Sequence, residues 1–329
     1  MKNFVLSFTV VWLFAAIVAA QPVVTIDASK RGVEIPSTLY GIFFEEIRYA
    51  GDGGLYAELV RNRSFEDDHN ENLNHWEGFK NGSLTLVKAN RDGTNMINKV
   101  QRHAVKVVTT QNGAGILNLG YSGMNFVKGK DYTISLWAKG DADVSLSAQL
   151  MASDKTTMLA KVQVAESLSG EWNKYTATLS PAKSGERGVL AIVASKPTTF
   201  YLDVVSLFPP TYKDRPNGMR RDLAQMVADM KPAFMRFPGG CVVEGQFDKE
   251  TGETCRVEWK KQLGGLEDRL GHRNNNWGYY TSDGLGVYEY FQFAEDIGAE
   301  PLYVFNIGMG HGWVNDYQNT EEFVQEAHD

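Results

Sequence analysis

The chain has 329 residues, of which 43% are hydrophobic and 12% are aromatic, and it carries a net charge of −7 at pH 7. This composition is typical of one large or two ordinary globular domains and lies outside the range of disordered chains. The acidic balance argues against nucleic acid and anionic membranes as partners. Two cysteines, Cys241 and Cys255, are too few for a disulfide framework.

The amino terminus has the pattern of a secretory signal. Lys2 precedes an apolar stretch over residues 4–20, which ends in small residues before Gln21. This layout predicts a cleavable signal peptide over residues 1–20. An uncleaved anchor is the alternative, but the stretch is at the short end for spanning a bilayer. We therefore expect a secreted or periplasmic protein without a membrane partner after cleavage; whether its two cysteines pair in that setting stays open.

Residues 21–69 alternate between extended and helical patterns. Two strands and one helix are predicted, in the segments "VVTID", "TLYGIFFEE" and "DGGLYAELVRN". In the third segment, four apolar side chains recur at helical spacing behind Asp52 as the helix cap: Leu55, Tyr56, Leu59 and Val60. This zone is typical of the opening of an α/β domain.

Residues 70–208 have a different sequence pattern. Short alternating segments follow one another between Gly, Asn, Asp and Ser residues: "HAVKVVT", "GILNLGY", "DYTISLWAKG", "DVSLSAQL", "KVQVAES", "WNKYTATLS", "GVLAIVAS" and "TFYLDVVSLF". In "YTISLWA", four apolar side chains share one face: Tyr132, Ile134, Leu136 and Ala138. Many short strands without helices between them predict an antiparallel β-sandwich. We assign Trp137 to core packing, and a sugar-binding platform on the sandwich stays open.

Residues 209–329 return to the helical period. Two helical stripes are predicted: Leu223, Met226, Val227 and Met230, then Val287, Tyr290, Ala294 and Ile297. The second helix is expected to start at Asp283 and to stop at Gly298. Each helix precedes a predicted strand, "AFMRFPGG" and "PLYVFNIG". This alternation predicts a parallel sheet with helical crossovers, so an α/β domain is interrupted by the sandwich.

The α/β zones supply about three strand–helix units, whereas a closed eight-unit barrel needs roughly 250 residues. The final segment "NTEEFVQEAHD" begins a charged helix with no strand after it. We therefore expect the chain to be a fragment of a longer protein.

Two adjacent carboxylates, Glu45 and Glu46, end the strand "LYGIFFEE". Successive side chains in a strand alternate faces, so only one of the two points into a barrel. The bulky side chains that alternate with Glu45 suit the face that helices cover, which leaves Glu45 at the barrel mouth, where functional groups gather. Glu46 is interpreted as structural. The alternative for Glu45 is a solvated strand end or a salt bridge with Arg48 or Arg61.

Further candidates follow the next two predicted strands. Pro238, Gly239 and Gly240 force a turn that lets a ligand approach the backbone. Cys241 follows this turn, but the neighbouring sequence offers no base to activate a thiol nucleophile. Arg236 precedes the turn.

The loop "GHRNNNWGYYTSDG" places amides beside aromatic rings such as Trp277, which suits the hydroxyl edges and C–H faces of sugars. Asn306 continues the series at the end of the third strand. Plain turns are the alternative interpretation. His272 and His311 lack metal-ligand spacing, so no metal is expected.

Three stretches together resemble a known enzyme family. Within residues 36–66 and 213–310, the runs "LYGIFFEEIRYAGDGGLYAELVRNRSFE", "RFPGGCVVEG" and "SDGLGVYEYFQFAEDIGAEPLYVFNIG" are similar to the amino-terminal half of the α-L-arabinofuranosidases of glycoside hydrolase family 51. The segment ending "FYLDVVSLFPP" is similar to carbohydrate-binding-like jelly rolls that some members insert after the first barrel strand.

The resemblance implies an incomplete (β/α)8 TIM barrel of about three strands, interrupted by a jelly-roll β-sandwich. The barrel would begin in residues 21–69 and continue in residues 209–329, with the sandwich at residues 70–208. It also implies a retaining enzyme without a cofactor that releases arabinose from hemicellulose or pectin. The expected partner is an arabinose-containing polysaccharide or oligosaccharide.

The resemblance further implies roles for single residues. Glu45 matches the family's glutamate that hydrogen-bonds the arabinose hydroxyls, and Cys241 lies where the family places a residue against the same ring. Together with Asn306 and Trp277, they form the expected substrate-binding set. A sugar contact by Cys241 disfavours a disulfide to Cys255.

The catalytic pair is expected outside this sequence. A retaining glycosidase needs two carboxyl groups about 5–5.5 Å apart. In the family they follow the fourth and seventh barrel strands, which places them beyond Asp329, and Asn70-Glu71 does not map onto that site. We therefore expect a truncated and inactive glycosidase; the alternative is a non-catalytic carbohydrate-binding fragment. Linkage preference and oligomeric state stay open.

Overall fold

The computed structural model describes residues 23–67, 73–247, 254–311 and 320–329. The predicted signal peptide over residues 1–20 and the pair Asn70-Glu71 lie outside the described residues. Within the described ranges, no helix combines the length and apolar character that crossing a bilayer requires.

Residues 23–37 belong to a small unit of their own. In its described part, Val23, Val24 and Ile26 are exposed, and the backbone forms turns without sheet pairing. The strand predicted at "VVTID" is therefore wrong, because the apolar pattern has no partner strand to satisfy its backbone.

The remaining residues form the main unit. Its strands, in chain order, are β1 (Ile42–Phe43), β2 (Trp76–Phe79), β3 (Ser83–Lys88), β4 (His103–Thr109), β5 (Gly115–Asn118), β6 (Met124–Phe126), β7 (Tyr132–Gly140), β8 (Leu146–Met151), β9 (Met158–Ala165), β10 (Asn173–Leu179), β11 (Gly185–Ala194), β12 (Thr198–Phe208), β13 (Phe234–Phe237), β14 (Gln246–Phe247), β15 (Thr254–Cys255), β16 (His272–Asn274), β17 (Tyr279–Thr281) and β18 (Glu300–Tyr303). Its helices are α1 (Arg221–Asp229), α2 (Cys241–Glu244), α3 (Val287–Ile297) and α4 (Thr320–His328), with shorter turns at Gly51–Leu55, Tyr212–Asp214, Trp259–Gln262 and Leu266–Asp268.

Two antiparallel sheets pack face to face as a sandwich. One runs β10-β7-β12-β4-β3, and the other runs β2-β5-β11-β8-β9 with β6 paired to β11. Ile134 and Leu136 of β7 share one core with Leu190 and Ile192 of β11. Because side chains alternate along a strand, this apolar face turns inward and the polar residues between turn outward.

Trp137 lies on the opposite face of β7 from that core. It pairs in register with Asp203 of β12, and its ring is half-buried. The assignment of Trp137 to core packing is therefore wrong, because it is out of phase with the buried series by one residue.

A three-stranded parallel sheet with the order β1-β13-β18 forms the α/β part. Ile42 pairs with Met235, which pairs on its other side with Pro301. Met235 and Phe237 are fully buried on the face that α3 covers, where Phe237 stacks on Tyr290 with ring centroids 4.6 Å apart. Packing of β13 against α3 thus fixes which face of the sheet is interior.

Helix α1 forms where the apolar spacing predicts it, but fewer of its predicted apolar residues are buried. Leu223 and Val227 pack against the α/β core, and Ala224 is fully buried. Met226 and Met230 are instead 66% and 51% exposed. The inclusion of these two methionines in the buried stripe is therefore wrong.

Helix α3 also forms as predicted but begins later. Gly286 precedes it, and the backbone N–H of Gly286 donates to Glu289 Oε2 at 3.0 Å. The helix ends before Gly298, whose φ of 72° is a left-handed cap conformation that glycine adopts without strain. Asp283, the predicted start, lies outside the helix because its carboxylate binds other partners, described below.

The helix predicted in the segment "DGGLYAELVRN", residues 52–62, is wrong. Only Gly51–Leu55 forms a short turn, and Gly53 within it has a φ of 77°. A Cβ on Gly53 would lie 2.5 Å from the ring of Tyr121, so this position needs glycine. Beyond the turn the backbone is extended.

This extended stretch fastens the α/β part to the sandwich. The N–H of Leu59 donates to the carbonyl of Leu207 at 3.1 Å. Glu58, which is buried, accepts the N–H of Leu207 at 2.8 Å and the hydroxyl of Ser206 at 2.5 Å. These hydrogen bonds to a distant segment of the chain compete with the hydrogen bonds of a helix, which explains the extended backbone.

Ile134→Ala is expected to destabilise the chain by about 2–5 kcal/mol, because Ile134 is fully buried in the sandwich core. The control Thr133→Ala, on the exposed face of the same strand, should cost less than about 1 kcal/mol. Urea unfolding measures both free energies. Equal losses would contradict the described facing of β7.

Candidate functional site

Glu45 lies at the carboxyl end of β1, beside the turn that follows β13. Its Oε1 accepts the backbone N–H of Gly240 at 3.1 Å. A Cβ on Gly239 would lie 2.7 Å from Cγ of Glu45 and 2.7 Å from Val242, so this turn leaves no room for a side chain. The Phe237–Pro238 peptide in the same turn is cis. The glycines therefore let the carboxylate rest against the backbone, as the turn chemistry predicts.

One oxygen of Glu45 is available to a ligand. Glu45 is half-buried, and its Oε2 has no hydrogen-bond partner among the described residues. Arg61 instead donates to the hydroxyl of Tyr49 at 2.5 Å and lies over that ring. In the part of the chain that the structure describes, Glu45 forms no ion pair with Arg48 or Arg61. The strand-end carboxylate is therefore free to accept hydroxyl donors.

Cys241 opens α2 beside the same carboxylate. Burial raises the pKa of the Cys241 thiol, and the charges of Glu45 and Glu244 raise it further. The thiol is therefore protonated at neutral pH, which disfavours a nucleophilic role. Cys241 has a free thiol. Cys255 Sγ accepts a hydrogen bond from the side-chain amide of Asn275 at 3.1 Å.

Asn306 lies near this turn but is engaged by the protein itself. Its Nδ2 donates to the carbonyls of Val243 and Glu244 at 2.9 and 3.1 Å, and its Oδ1 accepts the N–H of Gly308 and of Met309. The side chain is 4% exposed. Asn306 thus ties the turn after β18 to α2, which is a positioning role.

Trp277 packs against the valines of α2. Its ring contacts the apolar cluster of Val242, Val243 and Val257, and its indole N–H is buried without a hydrogen-bond partner among the described residues. The structure therefore brings Glu45, Cys241, Asn306 and Trp277 around α2 and the turn before it. Their contacts with substrate stay a prediction.

Glu46 points into the interior and is 7% exposed. Its Oε1 accepts the Tyr279 hydroxyl at 2.8 Å, and its Oε2 accepts the N–H of Asp52 at 3.2 Å. Burial raises the pKa of Glu46 to about 8, and the charge of Asp52 contributes to the shift. At neutral pH this carboxyl is therefore mostly neutral and joins β1 to β17, in agreement with a structural role.

Asp52 and Asp283 hold the loop between β17 and α3. Asp52 accepts the N–H of Ser282 at 2.6 Å and its hydroxyl at 2.9 Å, while Arg63, only 1% exposed, donates to the Ser282 carbonyl at 2.9 Å. Asp283 Oδ2 lies 2.9 Å from Nδ1 of His272. Burial alone would lower the pKa of His272, but Asp283 raises it above its usual value. The two therefore form an ion pair.

A cavity of about 10 Å³ lies among Glu46, Asp52, His272 and Asp283. Such a volume holds about one water molecule and excludes a sugar. Glu45 does not line this cavity and lies at the carboxyl end of β1. Glu45 can accept hydroxyl hydrogen bonds there, while the interior acids keep the strand ends in place.

One acidic group elsewhere has the spacing of a cation site. Glu258, Glu322 and Glu326 lie close together, but Arg256 donates to Glu326 at 2.9 Å and to Glu322 at 3.4 Å. The guanidinium therefore already compensates the negative charge there.

Known proteins match both parts of the chain. Residues 226–329 match the family model of the alpha-L-arabinofuranosidase 1 domain, and residues 57–199 match that of a carbohydrate binding domain. Alpha-L-arabinofuranosidase 1 of Arabidopsis thaliana is 38% identical over 99% of this chain and 50% of its own length. An extracellular exo-alpha-L-arabinofuranosidase of Streptomyces chartreusis is 38% identical over 85% of this chain and 34% of its own length.

The solved structure of arabinose-bound MgGH51 α-L-arabinofuranosidase matches with a TM-score of 0.78 and 30% identity. The match covers 89% of this chain and 48% of that one. This chain is similar to α-L-arabinofuranosidases over nearly its whole length. It spans about half the length of the curated arabinofuranosidases from Arabidopsis thaliana that it matches.

Sequence reasoning missed the interior polar network around Glu46. Adjacent acids at the end of an apolar strand signal that one is buried. The partners of this network are far away in sequence, because Tyr279 is 233 residues from Glu46 and Ser282 is 230 residues from Asp52. The glycines in "GDGG" were a second signal, because a turn there explains how Asp52 returns to Glu46.

Glu46→Gln is expected to change how stability depends on pH. The folded pKa of about 8 exceeds the reference value of 4.5, so the stabilisation is complete below about pH 4.5 and is lost as the pH rises through 8. From pH 5 to pH 9 the unsubstituted chain should therefore lose up to a few kcal/mol relative to the variant. Urea unfolding at several pH values measures this, and parallel curves would show that Glu46 does not ionise in a buried site.

Proposed function

We propose that this chain supplies the amino-terminal part of an α-L-arabinofuranosidase active site, in which Glu45 binds the hydroxyls of a terminal arabinofuranosyl unit. The observation that carries the proposal is the Glu45 carboxylate, which lies at the carboxyl ends of parallel strands with Oε2 unengaged among the described residues. A carboxylate accepts several hydroxyl hydrogen bonds, which is the recognition that a furanose ring requires.

The other predicted site residues have two kinds of role in this proposal: contact with the sugar and positioning of the site. Cys241 contacts the same sugar ring as a neutral thiol. Trp277 and Asn306 hold α2 and its turn in position. The whole site then recognises an arabinose-containing polysaccharide or oligosaccharide, and the oligomeric state of the intact enzyme stays open.

For the architecture, we propose that β1, β13 and β18 are the first three strands of a (β/α)8 TIM barrel and that the sandwich is an inserted jelly roll. On the sheet face opposite α3, Phe43 and Leu302 are 53% and 45% exposed, and Arg236 lies over the Phe43 ring. In a closed barrel, such inward side chains pack in layers. The proposed domains are residues 21–69 and 209–329 for the barrel and 70–208 for the sandwich.

The proposed compartment is secreted or periplasmic, after removal of a signal peptide over residues 1–20. The amino-terminal sequence pattern supports it. The Streptomyces chartreusis relative, which carries the name extracellular, agrees with this localisation.

For the chemistry, we propose a retaining double displacement in the intact enzyme, with one glutamate as nucleophile and another as proton donor. By the family resemblance, both follow residue 329. Residues 1–329 then contribute substrate binding and orientation, and the alternative of a non-catalytic carbohydrate-binding fragment differs only in the absence of such a continuation.

The 329-residue chain, expressed alone, is expected to show no turnover of an aryl α-L-arabinofuranoside, because the proposed catalytic pair lies outside it. Release of the aryl alcohol measures the rate. A chain extended through the downstream reading frame is the control and should gain activity. Turnover by residues 1–329 above a blank would place the catalytic groups within this sequence.

Glu45→Gln is expected to weaken binding of L-arabinose or an arabino-oligosaccharide by about tenfold or more, because a hydrogen bond to a charged group contributes about 1.5–3 kcal/mol. The matched control is Glu46→Gln, one residue along the chain, which should keep the affinity at pH 7. Isothermal titration calorimetry measures both. Equal affinities of the Glu45 variant and the unsubstituted chain would contradict the proposed sugar contact.

A further inference from the structure

A tyrosine of the sandwich contacts the loop that follows β1. Tyr121 lies in the connection between β5 and β6, and Tyr49 lies four residues after Glu45. The two half-buried rings meet edge to face, with their centroids 5.8 Å apart and their planes at 65°. Edge-to-face contact is one of the preferred arrangements of an aromatic pair, so this contact favours one position of the loop.

An arginine joins the same two rings. The guanidinium carbon of Arg61 lies 4.6 Å from the ring centroid of Tyr49 and 5.4 Å from that of Tyr121. Its Nη2 also donates to the hydroxyl of Tyr49 at 2.5 Å. Two cation–π contacts and one hydrogen bond therefore hold Tyr49 beside Tyr121.

Tyr121 also packs on the turn Gly51–Leu55. A Cβ on Gly53 would lie 2.5 Å from the Tyr121 ring, so the ring rests directly against the backbone of this turn. Asp52 precedes Gly53, and its N–H donates to Glu46 Oε2 at 3.2 Å. The ring of Tyr121 thus limits where one hydrogen-bond donor to Glu46 can lie.

The other oxygen of Glu46 is reached through Tyr49. The ring of Tyr49 stacks on that of Tyr279 with the centroids 4.1 Å apart, and the N–H of Tyr49 donates to the Tyr279 hydroxyl at 3.2 Å. This hydroxyl donates to Glu46 Oε1 at 2.8 Å. Each oxygen of Glu46 therefore has a partner that Tyr121 holds, either directly through the turn or through Tyr49.

Glu46 in turn fixes the end of β1 that carries Glu45. The N–H of Glu46 donates to the carbonyl of Pro238 at 3.2 Å, at the start of the glycine turn. Glu45 Oε1 accepts the N–H of Gly240 in that same turn. Hydrogen bonds weaken steeply as their distance and angle change, so a shift of Glu46 changes the bonds that Glu45 can make.

We propose that Tyr121 of the sandwich is a positioning residue for the arabinose site, because it holds Tyr49 and the turn Gly51–Leu55, which hold Glu46 beside Glu45. The inference rests on the proposed function of Glu45 as the residue that binds arabinose. In this role the sandwich helps to build the site in the α/β part, independently of any glycan that it binds itself.

The test replaces Tyr121 in the full chain. Calorimetric titration with L-arabinose measures affinity, and hydrogen exchange measures protection of the amide N–H groups of Tyr49 and Asp52. Tyr121→Ala should raise the Kd for arabinose about threefold or more and should speed exchange of these two groups about tenfold or more. Tyr121→Phe keeps the ring that makes the contacts, so it should match the unsubstituted chain in both measurements.

The matched control is Tyr175→Ala, which removes another half-buried tyrosine of the sandwich. Tyr175 lies on β10, packs against the sandwich core and donates to the carbonyl of Ser167 at 3.3 Å. Its loss weakens the sandwich itself, so exchange in β10 should rise while the arabinose affinity and the exchange of Tyr49 and Asp52 stay unchanged. Thermal unfolding checks that each variant is folded, and Tyr121→Leu, which also lacks the ring, replaces Tyr121→Ala if that variant does not fold.

Unchanged exchange or unchanged affinity in Tyr121→Ala would overturn the proposal. So would an equal loss in Tyr121→Phe or in Tyr175→Ala, or a rise in exchange that extends equally through β7, because that pattern reports general loss of stability. Absence of arabinose binding by the unsubstituted chain would instead contradict the proposed function of Glu45. The exchange rates of Tyr49 and Asp52 would then decide alone whether Tyr121 holds the loop, so the two failures are distinguishable.

Discussion

The pairing of β1 with β13 is the constraint on which the site depends. The N–H of Phe44 donates to the carbonyl of Arg236 at 2.8 Å, and the N–H of Glu46 donates to the carbonyl of Pro238 at 3.2 Å. Phe44 is thus bonded to β13 and Glu46 to the residue that follows it, so the backbone on both sides of Glu45 is fixed and its side chain lies over the glycine turn. The contact joins residues 195 positions apart, so the strand pairing itself creates the site.

Buried charged side chains hold the irregular loops around the site in place through hydrogen bonds and ion pairs. Arg269 and Glu289 form a two-pronged pair with both distances at 2.9 Å, although each residue is at most 4% exposed. Arg63 and Asp52 bind Ser282 from different sides. Charges removed from water are tolerated only when each has partners, so loss of one partner is felt by the whole loop.

The sequence predicts the regular parts of the molecule and not its polar interior. Alternation places β7 correctly, and the stripe through Tyr290 places α3, because both depend on patterns within one element. The stretch after Asp52 is mispredicted because Glu58 bonds Leu207, a partner that local spacing cannot reveal. The facing of Glu45 follows from alternation within its strand, whereas the partner of Glu46, Tyr279, lies 233 residues away and has no signal in that strand.

The segment before the sandwich is bonded to the last strand of the sandwich: the N–H of Leu59 donates to the carbonyl of Leu207, and the N–H of Val205 donates to the carbonyl of Arg63. An insertion whose entrance and exit are neighbours leaves the host strands where they would otherwise be. The positions of Leu59 and Leu207 therefore link the place of the sandwich to that of the β1-β13-β18 sheet. Any segment that replaces the sandwich must supply a hydroxyl donor and a backbone N–H donor to Glu58. Without them this buried carboxyl group loses its hydrogen-bond partners.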